Sequence, residues 1–248
     1  MGCKEKSVRV EEGEVFLKTI GLIGGMSWES SLEYYRIINE TIRLNLGGLH
    51  SAQCLMYSVD FQEIERLQHQ NNWDELTDIM VNCAYKLKKG GADFIVICTN
   101  TMHKMADDIE KRVGLKVLHI ADATGKKIIE KGLQKVGLLG TKFTMEEDFY
   151  KKVLKEKYNI DVVIPDEKER EIIHDIIFQE LCKGVINEVS KEKYKKIIYN
   201  LVLKGAEGVV LGCTEIPLLL KQEDVNIPIF DTTTIHAISA VEFALGKL

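Results

Sequence analysis

The chain has 248 residues, enough for one large α/β domain or two smaller lobes, each with a core of its own. With 45% apolar residues, 29% charged residues and three prolines, the composition is globular and argues against disorder, collagen or a fibrous repeat. The formal net charge is −5 with signs intermixed, so there is no basic stripe for a phosphate backbone and nucleic acid is not an expected partner.

Residues 1–17 (MGCKEKSVRVEEGEVFL) are charged from Lys4 onward and lack the apolar core of a signal peptide; Lys6 stands where a myristoylation signal takes Ser or Thr. They read as an N-terminal tail. Beyond them, short apolar, β-rich runs alternate with helical stretches: Thr19–Ile23, Gln53–Val59, Phe94–Ile97, Lys116–Ile120, Lys135–Leu139, Asp161–Ile164, Gly208–Leu211 and Ile227–Phe230. Near-continuous apolar strands separated by helices predict parallel sheets covered on both faces. Asn72 and Glu75 form a capping box before the stripe Trp73, Leu76, Met80, Cys83 and Leu87, which Gly90 ends. Thr144 with Glu147 repeats that device before Phe149 and Val153.

No apolar run approaches the roughly 18 residues that cross a bilayer, and the run at Val209 to Leu211 is cut by Gly212 and Cys213, so no membrane partner is expected. The cysteines, at 3, 54, 83, 98, 182 and 213, form no C-x-x-C pair. That pattern fits a reducing cytoplasm and excludes a cysteine-rich zinc site. The histidines, at 50, 69, 103, 119, 174 and 236, form no i, i+4 pair, so no metal is expected. Ile23 occupies the second glycine position of a G-x-G-x-x-G fingerprint, and the GxxxxGK[ST] loop is absent, so neither NAD nor ATP is implied.

The chain also contains itself twice, at an offset of roughly 110 to 116 residues. TIGLIGG (19–25) echoes KVGLLGT (135–141), and HIADAT (119–124) echoes PIFDTTT (228–234), placing Asp122 on Asp231. GADFIVICTNT (91–101) echoes GAEGVVLGCTE (205–215) in register, placing Thr99 on Cys213. Duplication of a four-stranded α/β unit predicts two pseudo-symmetric lobes facing each other across a cleft. In such sheets the ligand crevice lies at the carboxyl ends of the strands, where helix N-termini attract anions. GGMSWES (24–30), TNT (99–101), GTKFT (140–144) and CTE (213–215) sit there, so the expected ligand is a small carboxylate.

Cys213 follows a buried strand near a helix N-terminus and precedes the Thr214 hydroxyl and the Glu215 carboxylate. A helix terminus can lower a thiol pKa from ~8.5 toward neutrality, which makes a thiolate base or nucleophile; the alternative is a small core residue. Cys54, Cys83 and Cys182 read as structural.

GLIGGMSWES, ICTNTMH, LHIADAT, LLGTKFTME and LGCTEI together resemble the cofactor-independent aspartate/glutamate racemase family, over residues 18–248. The resemblance implies an active site between the lobes, a homodimer, no cofactor, and racemisation of a small acidic amino acid by opposed cysteines. It also implies a first lobe of residues 18–121 plus 232–248, with a last helix at about 233–247 packing back on it, and a second lobe of residues 122–231. The chain departs from the family's common pattern, in which a cysteine directly precedes the Asn-Thr pair; here Thr99 does, and Cys98 lies one residue earlier. Side chains alternate along a strand, so Cys98 is expected to face away from the cleft. The site is then lopsided, with Cys213 a competent base and Thr99 delivering a proton directly or through water. Because the family assigns the second-lobe cysteine to the L-enantiomer, an L-preference is implied.

By the same resemblance Met26, Gln68, Asn100, Thr101, Lys183 and Thr214 bind substrate, and Lys183 pairs with its side-chain carboxylate. Thr141, Glu215, Asp122 and Asp231 are candidate orienters or caps, and His103 is expected at the surface or behind the first-lobe strand end. A related decarboxylase or cis–trans isomerase of small diacids, and a non-catalytic two-lobe amino acid binding protein, are the alternative readings.

Overall fold

The computed structural model describes residues 17–248 and, before them, the short strands β1 (Val10–Glu11) and β2 (Glu14–Val15), which pair antiparallel. The rest of the expected tail, Cys3 included, lies outside the described residues. In chain order there follow β3 (Ile20–Gly24), α1 (Trp28–Leu46), β4 (Cys54–Ser58), α2 (Phe61–His69), α3 (Trp73–Lys89), β5 (Phe94–Ile97), α4 (Ala106–Val113) and β6 (Val117–Leu118). Then come α5 (Ile120–Glu130), β7 (Lys135–Gly140), α6 (Lys142–Glu146), α7 (Asp148–Tyr158), β8 (Asp161–Val163), α8 (Glu167–Gln179) and α9 (Glu188–Leu203). The chain ends with β9 (Gly208–Gly212), α10 (Ile216–Leu219), β10 (Ile229–Asp231) and α11 (Thr232–Ala244).

Two parallel sheets result, ordered β4-β3-β5-β6 and β8-β7-β9-β10. Each repeats the same path, with the first strand of the unit inside, the second at one edge and the third and fourth on the other side. This α/β architecture is the one the alternating strands and helices predict. The duplication reaches individual hydrogen bonds. Asp93 accepts the Thr19 amide at 2.6 Å, and its echo Glu207 accepts the Lys135 amide at 3.0 Å. Both carboxylates satisfy a donor just ahead of the sheet ladder.

Alternation along the strands sorts side chains between two layers. In β5 and the residue after it, Phe94, Val96 and Cys98 pack toward α1 and α11 with Tyr34, Ile38 and Ala240, whereas Ile95 and Ile97 pack toward α3 and α4 with Met80 and Ile109. In the second sheet Val209, Leu211 and Cys213 join the α8–α9 side with Ile173 and Ile197, and Val210 joins α5 and α7. The helices after the two fourth strands exchange sides: α5 packs on Tyr150 and Leu154 of α7, and α11 packs on α1. Burying a Leu or Ile contributes about 1.5–3 kcal/mol; α5 buries Ile120 and Ile128 against Leu154, whereas α11 buries the smaller Ala237, Ala240, Val241 and Ala244.

Asn72 caps α3 as expected, accepting the Glu75 amide, but the box is only half formed: Glu75 accepts from the Asn72 side-chain amide, while the Asn72 backbone N–H bonds the Leu67 carbonyl. The second predicted box is corrected. Thr141 caps α6 and Thr144 lies inside that helix with its hydroxyl turned toward Thr101, so Glu147 begins α7 without a side-chain cap. A one-turn helix inserted after β7 thus moves the cap three residues upstream.

Candidate active site

The carboxyl ends of β3, β5, β7 and β9 converge on one cleft between the lobes. Met26, Gln68, Thr99, Asn100 and Thr101 line it from the first lobe and Thr141, Gly212, Cys213 and Glu215 from the second, with Phe61, Ile177, Phe178 and Cys182 completing the wall. The free volume is about 30 Å³, room for about two waters. Two glycines shape the approach. Gly25 has φ +93°, and a Cβ there would run into the Val59 backbone. A Cβ on Gly212 would come within 2.9 Å of the Leu139 carbonyl, so only glycine lets β9 deliver Cys213 at this depth.

Thr99 and Cys213, equivalent in the duplicated units, both line the cleft. Cys98 does not: it is fully buried in the layer shared with α1 and α11, where burial pushes its thiol far above the ordinary value. The Ser30 hydroxyl donates to the Cys98 carbonyl at 2.9 Å and fixes the backbone at this strand end.

The Cys213 thiol donates to Glu215 Oε2 at 2.9 Å, and the Thr214 hydroxyl donates to the same oxygen at 2.9 Å. Ser27, from the opposite lobe, donates to Glu215 Oε1 at 2.7 Å. Burial first, then the adjacent Glu215 carboxylate, push the Cys213 thiol well above its ordinary value. This corrects the expectation of a thiol acidified by a helix N-terminus. The helix that follows, α10, has only four residues and starts three positions later, so desolvation outweighs its dipole.

Of the other predicted residues, Met26, Gln68, Asn100 and Thr101 are buried in the cleft wall. Among the described residues the Gln68 amide donates to the weak acceptor Met102 Sδ, at 3.2 Å. Asn100 donates to Thr232 Oγ1 at 3.1 Å, while its buried Oδ1 has no hydrogen-bond partner among the described residues. The Thr101, Thr141 and Thr144 hydroxyls form a triangle across the lobes with sides of 3.2–3.3 Å. Lys183 is exposed, donates to Gln179 Oε1 at 2.8 Å and is not part of the cleft wall.

Asp231 is a cap, accepting the Thr233 and Thr234 amides of α11. Asp122 lines a separate groove of about 610 Å³, where Lys157 and Tyr158 bond its carboxylate. His103 is buried rather than at the surface; its Nδ1 lies 2.8 Å from the Thr99 carbonyl, behind the cleft.

Cys182, read from sequence as structural, lines the cleft, as do Phe61, Ile177 and Phe178, which carried no motif. The Ser27 contact to Glu215 was hidden as well, although Ser27 lies in the crevice segment 24–30 and Glu215 closes the echoed segment 205–215. Among the described residues no group of three or more His, Cys, Asp or Glu is placed to hold a metal ion, and no helix is long and apolar enough to cross a membrane.

The profile of the Asp/Glu/hydantoin racemase family matches residues 23–240. A provisionally assigned Asp/Glu racemase from Yersinia pestis is 52% identical, with a TM-score of 0.86, over 92% of this chain and all of that one. An aspartate racemase homologue from Pyrococcus horikoshii is 38% identical, with a TM-score of 0.80, over 92% of this chain and 99% of its own. The broad-specificity amino-acid racemase of Bacillus subtilis is 27% identical over 92% of this chain and 98% of its own length.

Proposed function

Since the chain belongs to the Asp/Glu/hydantoin racemase family and is an amino acid racemase, we propose that it interconverts the enantiomers of aspartate or glutamate without pyridoxal phosphate, through Cys213 and Thr99, with a preference for the L-form. The observation that carries this reading is the pairing of Thr99 and Cys213, equivalent strand-end residues of two duplicated lobes, in the wall of one cleft. The Cys213 thiolate takes the Cα proton of the L-enantiomer, the electron pair stays on the α-carbon and its carboxylate, and a proton arrives at the opposite face from the Thr99 side. A threonine hydroxyl is too weak an acid to rest as an alkoxide, so the two directions start from unlike bases.

The α-ammonium group finds an acceptor in Asn100 Oδ1, a buried cleft-wall oxygen with no partner among the described residues. The Thr101 and Thr141 hydroxyls offer donors to the α-carboxylate, whose stabilisation acidifies the Cα–H. The side-chain carboxylate is assigned to Gln68, in the cleft wall, and to Lys183, which follows the cleft residue Cys182 and would have to give up its bond to Gln179 to take this role. Cytoplasmic residence and a homodimer belong to the same proposal. The apolar stripe Trp28, Leu32 and Tyr35, each at least half exposed on one face of α1, offers a surface for the second copy.

Incubation with L-aspartate and L-glutamate in deuterated water tests the function. A racemase exchanges the Cα hydrogen and builds up the D-form; release of carbon dioxide identifies a decarboxylase, and binding without exchange identifies a non-catalytic binding protein.

A further inference from the structure

Resting on the racemase reading, we infer that Glu215 is the group that takes the proton from the Cys213 thiol, held in place by Ser27 of the opposite lobe. Glu215 stands at the N-terminal boundary of α10 but makes no capping hydrogen bond, so a local structural role does not account for its carboxylate. The carboxylate is only 3% exposed, and three side-chain donors converge on it: Ser27 Oγ on Oε1, and Cys213 Sγ and Thr214 Oγ1 on Oε2. No ion pair to Glu215 is found among the described residues, and a buried carboxylate without a cation is costly to keep. Its contact with sulfur supplies a use for that cost.

A thiol buried beside a carboxylate does not lose its proton to solvent near neutral pH, and the nearest acceptor is the oxygen 2.9 Å away. The S–H bond breaks as an O–H bond forms on Glu215 Oε2, which moves a single negative charge from oxygen to sulfur. The thiolate then takes the Cα proton: C–H breaks, S–H re-forms, and the carbanion is protonated from the Thr99 side. Glu215 returns its proton across the cleft, through water, to the oxygen that gave one up, restoring the resting state.

Ser27 makes this dependent on closure. Its hydroxyl accepts the Ser30 amide at 3.3 Å while donating to Glu215, so its direction is set by the start of α1 in the first lobe. Only with the lobes together is Oε1 occupied and Oε2 aimed at the sulfur.

Glu215→Gln keeps an oxygen for the Ser27 donor but cannot take a proton. It should lower kcat for L-aspartate by about 100-fold or more with little change in KM, and Glu215→Asp should recover part of that loss. Ser27→Ala should cost about threefold to tenfold in kcat. Alkylation of Cys213 by iodoacetamide, followed by peptide mass spectrometry across pH, separates acid–base chemistry from packing. With the neighbouring charge gone, Glu215→Gln should shift the alkylation midpoint to lower pH even as turnover falls. The inference is overturned if Glu215→Gln keeps kcat within about twofold of the parent, or if turnover and thiol reactivity fall together and Asp restores neither. Exchange of no Cα hydrogen by the parent, alongside the alkylation shift in Glu215→Gln, would instead refute the acidic-substrate reading and leave the Cys213–Glu215 pair standing.

Discussion

Phe61 of the first lobe stacks on Phe178 of the second, with ring centroids 6.5 Å apart and planes 18° from parallel, and both rings line the cleft that holds Cys213. With the rings in contact the remaining volume, about 30 Å³, is far below that of an amino acid. An amino acid is therefore expected to reach the sulfur only when the lobes part, with closure then expelling water from the reacting atoms. An aromatic pair is worth about 0.5–1.5 kcal/mol beyond its buried area, so Phe178→Ala should shift the balance of closed and open forms by roughly twofold to tenfold. In deuterated water that variant should show more Cα exchange per racemisation event and a lower kcat. An unchanged ratio of exchange to racemisation would mean that other contacts govern closure.

The equivalent strand ends of the two lobes make opposite demands on their cysteines. Cys213→Ser should abolish turnover in both directions, because it removes the only cleft group bonded to Glu215 that can become a thiolate. Cys98→Ser should leave activity per folded molecule close to the parent, since its side chain faces Tyr34 and Ala240 rather than the cleft. Its cost should appear in stability. A hydroxyl placed in that apolar layer costs about 1–3 kcal/mol unless it finds a partner, readable as a lower urea midpoint. Loss of turnover in Cys98→Ser with an unchanged midpoint would place the thiol in the chemistry.

Every strand of the two parallel sheets was legible because each is a short apolar run between punctuated helices, and the echo of GADFIVICTNT in GAEGVVLGCTE carried enough register to set Thr99 opposite Cys213. What the residues withheld was tertiary. Ser27 and Glu215 are 188 positions apart, and no local pattern announces that the start of α1 meets the end of β9. The thiol was misjudged for a related reason: a helix N-terminus can be read from sequence, whereas the desolvation that overrides it depends on how α8 and α9 pack over the strand end, with Ile173 and Ile197 in the same buried layer as the sulfur. Cys182 and Phe178 belong to α8 and the turn after it, a region without an echo in the first lobe. Lys183 was placed by resemblance alone, and its bond to Gln179 shows that a neighbouring position on the same turn does not fix where a long side chain rests.

Stability should fall in mild acid through three histidines packed where the lobes join. The His103 ring lies 4.9 Å from His119 and 5.3 Å from His236, and His236 is bonded on both sides, by the Tyr34 hydroxyl and the Leu118 carbonyl, each at 2.8 Å. Burial pushes His119 and His236 down to about 4. The charged groups facing His119 are Lys157, which lowers it further, and Asp122 and Asp107, which oppose the shift without cancelling it. His103 is lowered as well, by burial first and then by its two histidine neighbours. In the unfolded chain each histidine titrates near ~6.5, so between that value and about 4 the unfolded state holds more protons. The stability that His119 and His236 contribute is therefore complete above about pH 6.5, is lost as pH falls toward 4 and levels off below it, at roughly 3 kcal/mol for each of these two rings, and His103 acts in the same direction. Urea midpoints measured from pH 7.5 to 4 should decline across that window, and His236→Asn should flatten the decline. A flat profile in the parent would show that these rings open to water without global unfolding.

The asymmetry of the site gives the most discriminating variant. Thr99 and Cys213 are equivalent in the duplicated fold and line the same cleft, yet only one of them can be a base near neutral pH. Thr99→Cys places a second thiol on the opposite face of the substrate's Cα, where it can remove the proton of the D-enantiomer. The equilibrium ratio of enantiomers cannot move, because a catalyst speeds both directions through the same transition state. Any gain must therefore appear in the kinetic constants for the D-substrate, or in the exchange of its Cα hydrogen with deuterated water, measured against the L-substrate. The new thiol has no partner equivalent to Glu215, since Thr101 stands at the echoed position and carries no carboxylate. The gain should accordingly be partial, rising with pH as solvent takes over the role of proton acceptor, and Thr99→Cys combined with Thr101→Glu should shift that rise to lower pH. No improvement for the D-enantiomer, together with full activity in Thr99→Ala, would remove Thr99 from the mechanism and leave Cys213 working opposite a bound water.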